Sequence, residues 1–173
     1  DLYDRAEERL RLGHKGQGRE QRIAGKKAGV AALLGEKSAL TGSIGSMLND
    51  AYWIAEAEDV IALNLVQFQA AQELSDPLSI HCEYYAARGA TLVTIIANDH
   101  PGLFFRIAGG IHLAGGNIID ARIHTARNGK AVDNFLVQDP LGRPFMEDAQ
   151  LTRLKQSIID ALEDKAGDYG LSL

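Results

Sequence analysis

The stretch ATLVTIIANDHPGLFFRIAGG, residues 90–110, decides the fold. From Ala90 to Ala97 its β-branched side chains alternate, Thr91, Val93 and Ile95 against Leu92, Thr94 and Ile96, which predicts a strand buried on at least one face. Asn98-Asp99-His100-Pro101-Gly102 breaks the run as a turn. A helix follows from about Gly102 to Ala114, with Leu103, Ile107 and Ile111 on its apolar side and Gly115-Gly116 as the stop.

Working outward, Leu78 to Tyr85 predicts a preceding strand, joined through the turn Ala87-Arg88-Gly89. Asn117 to Ala126 and Ala131 to Asp139 predict two more strands. Between them Asn128-Gly129 is a strong hairpin signal, expected as a type I′ turn with positive φ at both central residues. Pro140 to Met146 is a loop. Asp148 to Leu162 closes the pattern as an amphipathic helix, with Leu151, Leu154, Ile158 and Leu162 inward.

The order ββαββα gives an α+β, ferredoxin-like module over residues 78–163, with two helices on one face of a four-stranded, antiparallel-rich sheet. The usual final strand is not visible. The Leu78–Tyr85 strand is expected to take its place, giving the spatial order Leu78–Tyr85, Ala90–Ala97, Ala131–Asp139, Asn117–Ala126. The last is then an exposed edge that invites pairing with another module.

Residues 1–76 read as a helical segment. A first short helix is expected to stop near Gly13, and a second to run from Arg19 to Leu34. Gly42, Ser43, Gly45 and Ser46 form a loose stretch, after which Asn49 or Asp50 caps a turn carrying Tyr52 and Trp53. Glu56 to Leu74 reads as the longest helix, ended by Ser75-Asp76-Pro77. Residues 164–173 read as a tail or linker. Because the chain begins at Asp1 rather than Met, it is expected to be a piece of something longer.

The net charge of -5 argues against nucleic acid, which needs clustered cations. Arg19, Arg22, Lys26 and Lys27 do cluster, but among alternating acids they read as a solvated helix face. Cys82 is the only cysteine, which excludes an internal disulfide and fits a reducing, cytoplasmic setting. No apolar run approaches the roughly 20 residues of a membrane span.

Chemistry concentrates at Asn98–Leu103. Pro101 lacks the N–H that a helix start leaves orphaned, and Gly102 removes a side chain where something must approach the backbone. Outward-facing N–H groups there favour an anion by roughly 0.3–1 kcal/mol. An amino-acid carboxylate fits, and Asp99 could accept from its ammonium group. On the local pattern alone, a plain Asp99 cap with a tight Pro-Gly turn is the commoner outcome.

A family resemblance tips that balance. The Asp99-His100-Pro101-Gly102-Leu103-Phe104 turn, the segment from Ala114 to Ile123 (AGGNIIDARI) and the Asn128-Gly129 hairpin together resemble an ACT domain over about residues 90–163. Arg106-Ile107-Ala108-Gly109, Asn117 to Ile123 and Val137-Gln138-Asp139 resemble more closely the first of two ACT domains in the bifunctional PII uridylyltransferase/uridylyl-removing family. Leu2 to Glu8 and Tyr52-Trp53 resemble that family's preceding stretch.

The resemblance implies amino-acid sensing, with glutamine as the ligand, to control nitrogen signalling through the protein PII. It implies ligand contacts from Asn98, Asp99, His100, Pro101, Gly102 and Leu103, and from Asn117, Ile118 and Ile119 across a second ACT module or a homodimer. The alternative is an ACT-type interaction module with no small-molecule ligand. In that family a nucleotidyltransferase and a metal-dependent hydrolase carry the chemistry, with Mg expected there, and this chain carries neither catalytic pattern.

No catalytic or metal residues are expected in the chain itself, and no cofactor. His81, His100, His112 and His124 match no i, i+4 ligand pair, and His81 and Cys82 point to opposite faces of a strand. Gly16-Gln17-Gly18 follows no strand, so it is an empty dinucleotide signal. Ser79, Ser157 and Cys82 lack a paired base. Glu7-Glu8, Glu56-Glu58 and Asp160-Glu163-Asp164 read as helix-face charges.

Overall fold

A computed structural model of the chain describes residues 2–163, with side chains from residue 16 onward; the expected tail, 164–173, lies outside the described residues. The chain forms two compact units that divide between Gln69 and Ala70.

In the first unit, α1 (Leu2–Leu34) is one helix of 33 residues, where two had been expected. Interior glycine costs a helix only about 1 kcal/mol relative to alanine, so the helix runs on through Gly13, Gly16, Gly18 and Gly25. It stops where Gly35 turns left-handed, at φ +57°. A 3-10 turn follows at Gly35–Lys37, and the expected loose stretch from Gly42 to Ser46 falls in α2 (Leu40–Ser43) and a second 3-10 turn at Gly45–Met47.

Asn49 does cap α3 (Asp50–Ala55), its Oδ1 accepting the Tyr52 N–H at 3.0 Å. Tyr52 and Trp53 are fully buried, and the indole Nε1 donates to the Gly45 carbonyl at 3.1 Å. The longest helix is α1, not the predicted one, which is α4 (Glu58–Glu73) and buries Val60, Ile61, Leu65 and Phe68.

The basic cluster on α1 splits. Arg19 and Arg22 are exposed, as expected of a solvated face. Lys26 Nζ instead donates to the carbonyls of Ile54 (2.8 Å) and Glu56, at the negative end of α3, and Lys27 Nζ lies 5.4 Å from the Trp53 ring centre.

The second unit matches the expected plan. Strands β1 (Leu78–Tyr85), β2 (Ala90–Asn98), β3 (Asn117–Thr125) and β4 (Lys130–Gln138) form one antiparallel sheet in the order β1-β2-β4-β3. Helices α5 (Leu103–Leu113) and α6 (Asp148–Glu163) cover one face. Their Leu103, Ile107, Ile111, Leu154 and Ile158 pack on Val93, Ile95, Phe135 and Val137. Burying these aliphatic side chains stabilises the unit by roughly 1.5–3 kcal/mol each. α5 ends in a Schellman motif, Gly116 N–H bonding Ile111 O and Gly115 N–H bonding His112 O, with Gly115 at φ +84°.

Two details differ from expectation. Asn128 has no positive φ, so the hairpin is not type I′. Instead Gly129 alone turns left-handed (φ +85°), with Gly129 N–H bonding Ala126 O and Ala126 N–H bonding Lys130 O. That is a type I turn closed by a glycine bulge, the three-residue solution to the same chain reversal. Strand β3 also carries a bulge at Ile119, between Ile118 and Asp120.

A candidate ligand turn at the start of helix α5

The turn after β2 presents the start of α5. Gly102, at φ +87°, is the N-cap residue, and no side chain caps this end. A Cβ at Gly102 would meet nothing within 4 Å. Glycine is needed there for its left-handed backbone, which other residues adopt at a cost. The Leu103 N–H turns back to His100 O (3.2 Å), leaving the next N–H groups of the first turn without intrahelical acceptors. Beside them lies a groove of about 700 Å³ lined by Pro101, Gly102, Phe105, Arg106, Gly109 and Arg153, among others, between α5 and α6.

Asp99 is not the helix cap. Its Oδ2 accepts from Thr125 Oγ1 at 3.1 Å, which ties the turn to the end of β3. Asn98 Oδ1 accepts from Lys130 Nζ at 2.7 Å, and His100 Nδ1 lies 3.0 Å from Pro101 O. Leu103 is only 4% exposed and its side chain belongs to the core, so only its backbone faces the turn.

Asn117, Ile118 and Ile119 stand elsewhere. Asn117 pairs with Gln138, whereas the turn adjoins Lys130 and Thr125 at the other end of the sheet. Nine residues of strand separate the two groups by about 27 Å. Within one module they do not meet. Ile118 packs against the core, and the bulge residue Ile119 is 43% exposed.

One acid in the middle of the sheet was not singled out from the sequence. Asp133 of β4 is 1% exposed, and its Oδ1 has no hydrogen-bond partner. Burial pushes its carboxyl up to about 7; the His124 backbone N–H offsets this in part, and the nearby Asp99 charge adds to it. A charged residue inside the apolar run Ala131–Val137 was the available signal. Cys82, by contrast, is held inert: burial pushes its thiol up to about 12, against a smaller opposing effect of Lys155.

No protein-family model and no solved structure matches the chain. Curated proteins do. Over 165 residues, 95% of this chain, it is 62% identical to a bifunctional uridylyltransferase/uridylyl-removing enzyme of Erythrobacter litoralis and 65% identical to one of Novosphingobium aromaticivorans. Over 149 residues, 86% of the chain, it is 42% identical to that of Zymomonas mobilis. The chain spans 18% of the length of the first two relatives and 16% of the third, so the likeness is to one segment of much longer proteins.

Proposed function

We propose that this chain is the amino-acid-sensing segment of a bifunctional uridylyltransferase/uridylyl-removing enzyme, with glutamine as its ligand. In this reading the second unit is an ACT domain, and ligand occupancy sets the balance between modifying and demodifying the protein PII in the cytoplasm. Mg-dependent catalysis lies in parts of the enzyme outside this chain. No described helix is long and apolar enough to cross a membrane, which is compatible with that location.

The observation that carries the reading is the uncapped start of α5 at Gly102, next to an open groove. The ligand carboxylate takes the free N–H groups, favoured by the helix dipole. Asp99 takes the ammonium group. Asn98, His100 and Pro101 shape the turn, and Asn117, Ile118 and Ile119 reach the ligand from a second module paired along β3. Isothermal titration with glutamine and a panel of other amino acids tests this, with glutamine the tightest ligand. A folded chain that is silent to all of them sinks it.

A second reading, an interaction module without a ligand, is favoured by the exposure of Ile119 (43%) and Ile123 (50%) on the edge strand β3. Gly102→Val separates the two. It abolishes amino-acid binding if the chain is a sensor, and leaves self-association unchanged if β3 pairing is the whole function.

A further inference from the structure

Phe105 and Leu113 stand on the side of α5 turned away from the core, 78% and 79% exposed. Leu103, Ile107 and Ile111 face inward, and a step of two residues turns a helix by about 200°. That step puts Phe105, Gly109 and Leu113 in one outward stripe, where a solvated helix carries polar residues. Between the two apolar side chains Gly109 leaves the backbone bare, and a Cβ there would meet nothing within 4 Å. Two apolar knobs around a bare stretch of helix suit the close approach of a second helix.

The stripe forms one wall of the groove between α5 and α6, and α6 lines the other with Arg153 and Asp160, both exposed. The two helices run antiparallel. α5 sets out from the end of β2, whereas Phe145, just before α6, is bonded to Thr91 at the beginning of β2. They meet where Ser157 Oγ donates to Gly110 O at 2.6 Å, beside Ile158. Leu113 therefore lies toward Arg153, and Phe105 toward Asp160. The groove has a basic end and an acidic end, with Gly109 between them. Asp160 Oδ1 accepts from Gln156 Nε2 at 2.8 Å, which leaves its second oxygen for another donor. Arg106, at the Phe105 end, is half-buried and already engaged.

We infer that this face docks a second copy of the chain, the two α5 helices crossing antiparallel at Gly109. A two-fold axis there sets Phe105 of each copy against Leu113 of the other. The same rotation lays the Arg153 end of one groove on the Asp160 end of the other, giving two reciprocal ion pairs around an apolar centre. A surface that meets itself must carry both charges, one on each side of the axis, and this one does. A partner of a single charge sign would gain one match and suffer one clash. The face is separate from the edge of β3, and no amino acid takes part, so the inference stands apart from the sensing reading.

The test is sedimentation equilibrium of the chain at up to about 100 µM, without added amino acid. The wild type forms a dimer. Phe105→Glu and Leu113→Glu change exposed positions, keep the far-ultraviolet spectrum of the wild type, and weaken the dimer at least tenfold. Arg153→Asp and Asp160→Arg, each alone, set like charges against each other and weaken it by about tenfold. Combined, they restore it, because the exchanged charges meet again across the axis. Loss of folding cannot produce that restoration. A wild type that stays monomeric at about 100 µM overturns the inference. So does a double charge variant no tighter than the single ones, and so does a dimer that survives Phe105→Glu but is lost in Ile123→Lys, which would belong to β3.

Discussion

The two units are held by different means. The second is an antiparallel sheet under two helices, with an aliphatic core spread over many side chains, among them Val93, Ile95, Ile107, Leu154 and Ile158. The first adds to its buried aliphatic side chains, Val30, Ile61 and Leu65 among them, a buried Tyr52-Trp53 pair and polar contacts made by particular atoms: Trp53 Nε1 to Gly45 O, Asn64 Nδ2 to Tyr52 OH, and Lys26 Nζ to the end of α3. Truncating the largest buried side chain, which also makes a hydrogen bond, removes more than trimming one methylene from an aliphatic core.

The largest expected effect breaks that contrast at its sharpest point. Trp53→Ala removes a fully buried indole and its hydrogen bond, and costs about 3–5 kcal/mol, read as collapse of amide-exchange protection over α3 and the start of α4. Ile95→Val, one methylene from the middle of the sheet, costs about 0.5–1.5 kcal/mol. If the Trp53 truncation cost no more than the Ile95 one, the contrast would be false.

Asp133 is the exception within the well-packed unit, and it yields the next largest effect. Its folded carboxyl titrates at about 7 against an ordinary value of 3.8, so the folded chain holds the proton more tightly than the unfolded chain. The group therefore favours folding fully at pH below about 4. Its contribution falls by about 4 kcal/mol at most as pH rises to about 7, and is flat above. Urea denaturation at several pH values should show this slope in the wild type and a shallower one in Asp133→Asn.

Close helix packing gives a smaller effect. A Cβ at Gly110 of α5 would stand 2.8 Å from Ile158 Cα and 3.0 Å from Ser157 O on α6, backbone atoms that cannot swing aside. Gly110→Ala should cost about 1–3 kcal/mol by overpacking, outweighing the gain in helix propensity, as a lowered thermal midpoint would show.

The same contrast explains what could be read from residues alone. Strand alternation in Thr91–Ile96 and the Pro101-Gly102 and Gly115-Gly116 stops are short-range signals, and they led to the sheet order correctly. The first unit's turns between Gly35 and Asn49 carry no period, and Lys26 meets the Ile54 carbonyl across 28 residues of chain, which no local pattern encodes. The bulge at Ile119 depends on what β3 pairs with, and the neighbours of Asp133 come from three strands. The turn at Asn98–Gly102 was legible because one continuous segment builds it. The burial of Asp133 was not, because strand register supplies its neighbours.

The smallest effect concerns the peptide joining α4 to β1. Ser75 sits at φ +49°, the one non-glycine residue with positive φ among those described. It occupies the left-handed position of a Schellman motif, with Asp76 N–H bonding Ala71 O and Ser75 N–H bonding Gln72 O. Residues with a Cβ adopt that conformation at a cost of roughly 1–2 kcal/mol, which glycine avoids. Against this, glycine loses more backbone freedom on folding, about 0.5–1 kcal/mol. The strain is the larger quantity, so Ser75→Gly should raise stability slightly, by about 0.5 kcal/mol, seen as a higher urea midpoint with an unchanged slope. A fall in midpoint would mean that Ser75 holds its turn through contacts of its side chain, and that this junction is specified rather than merely strained.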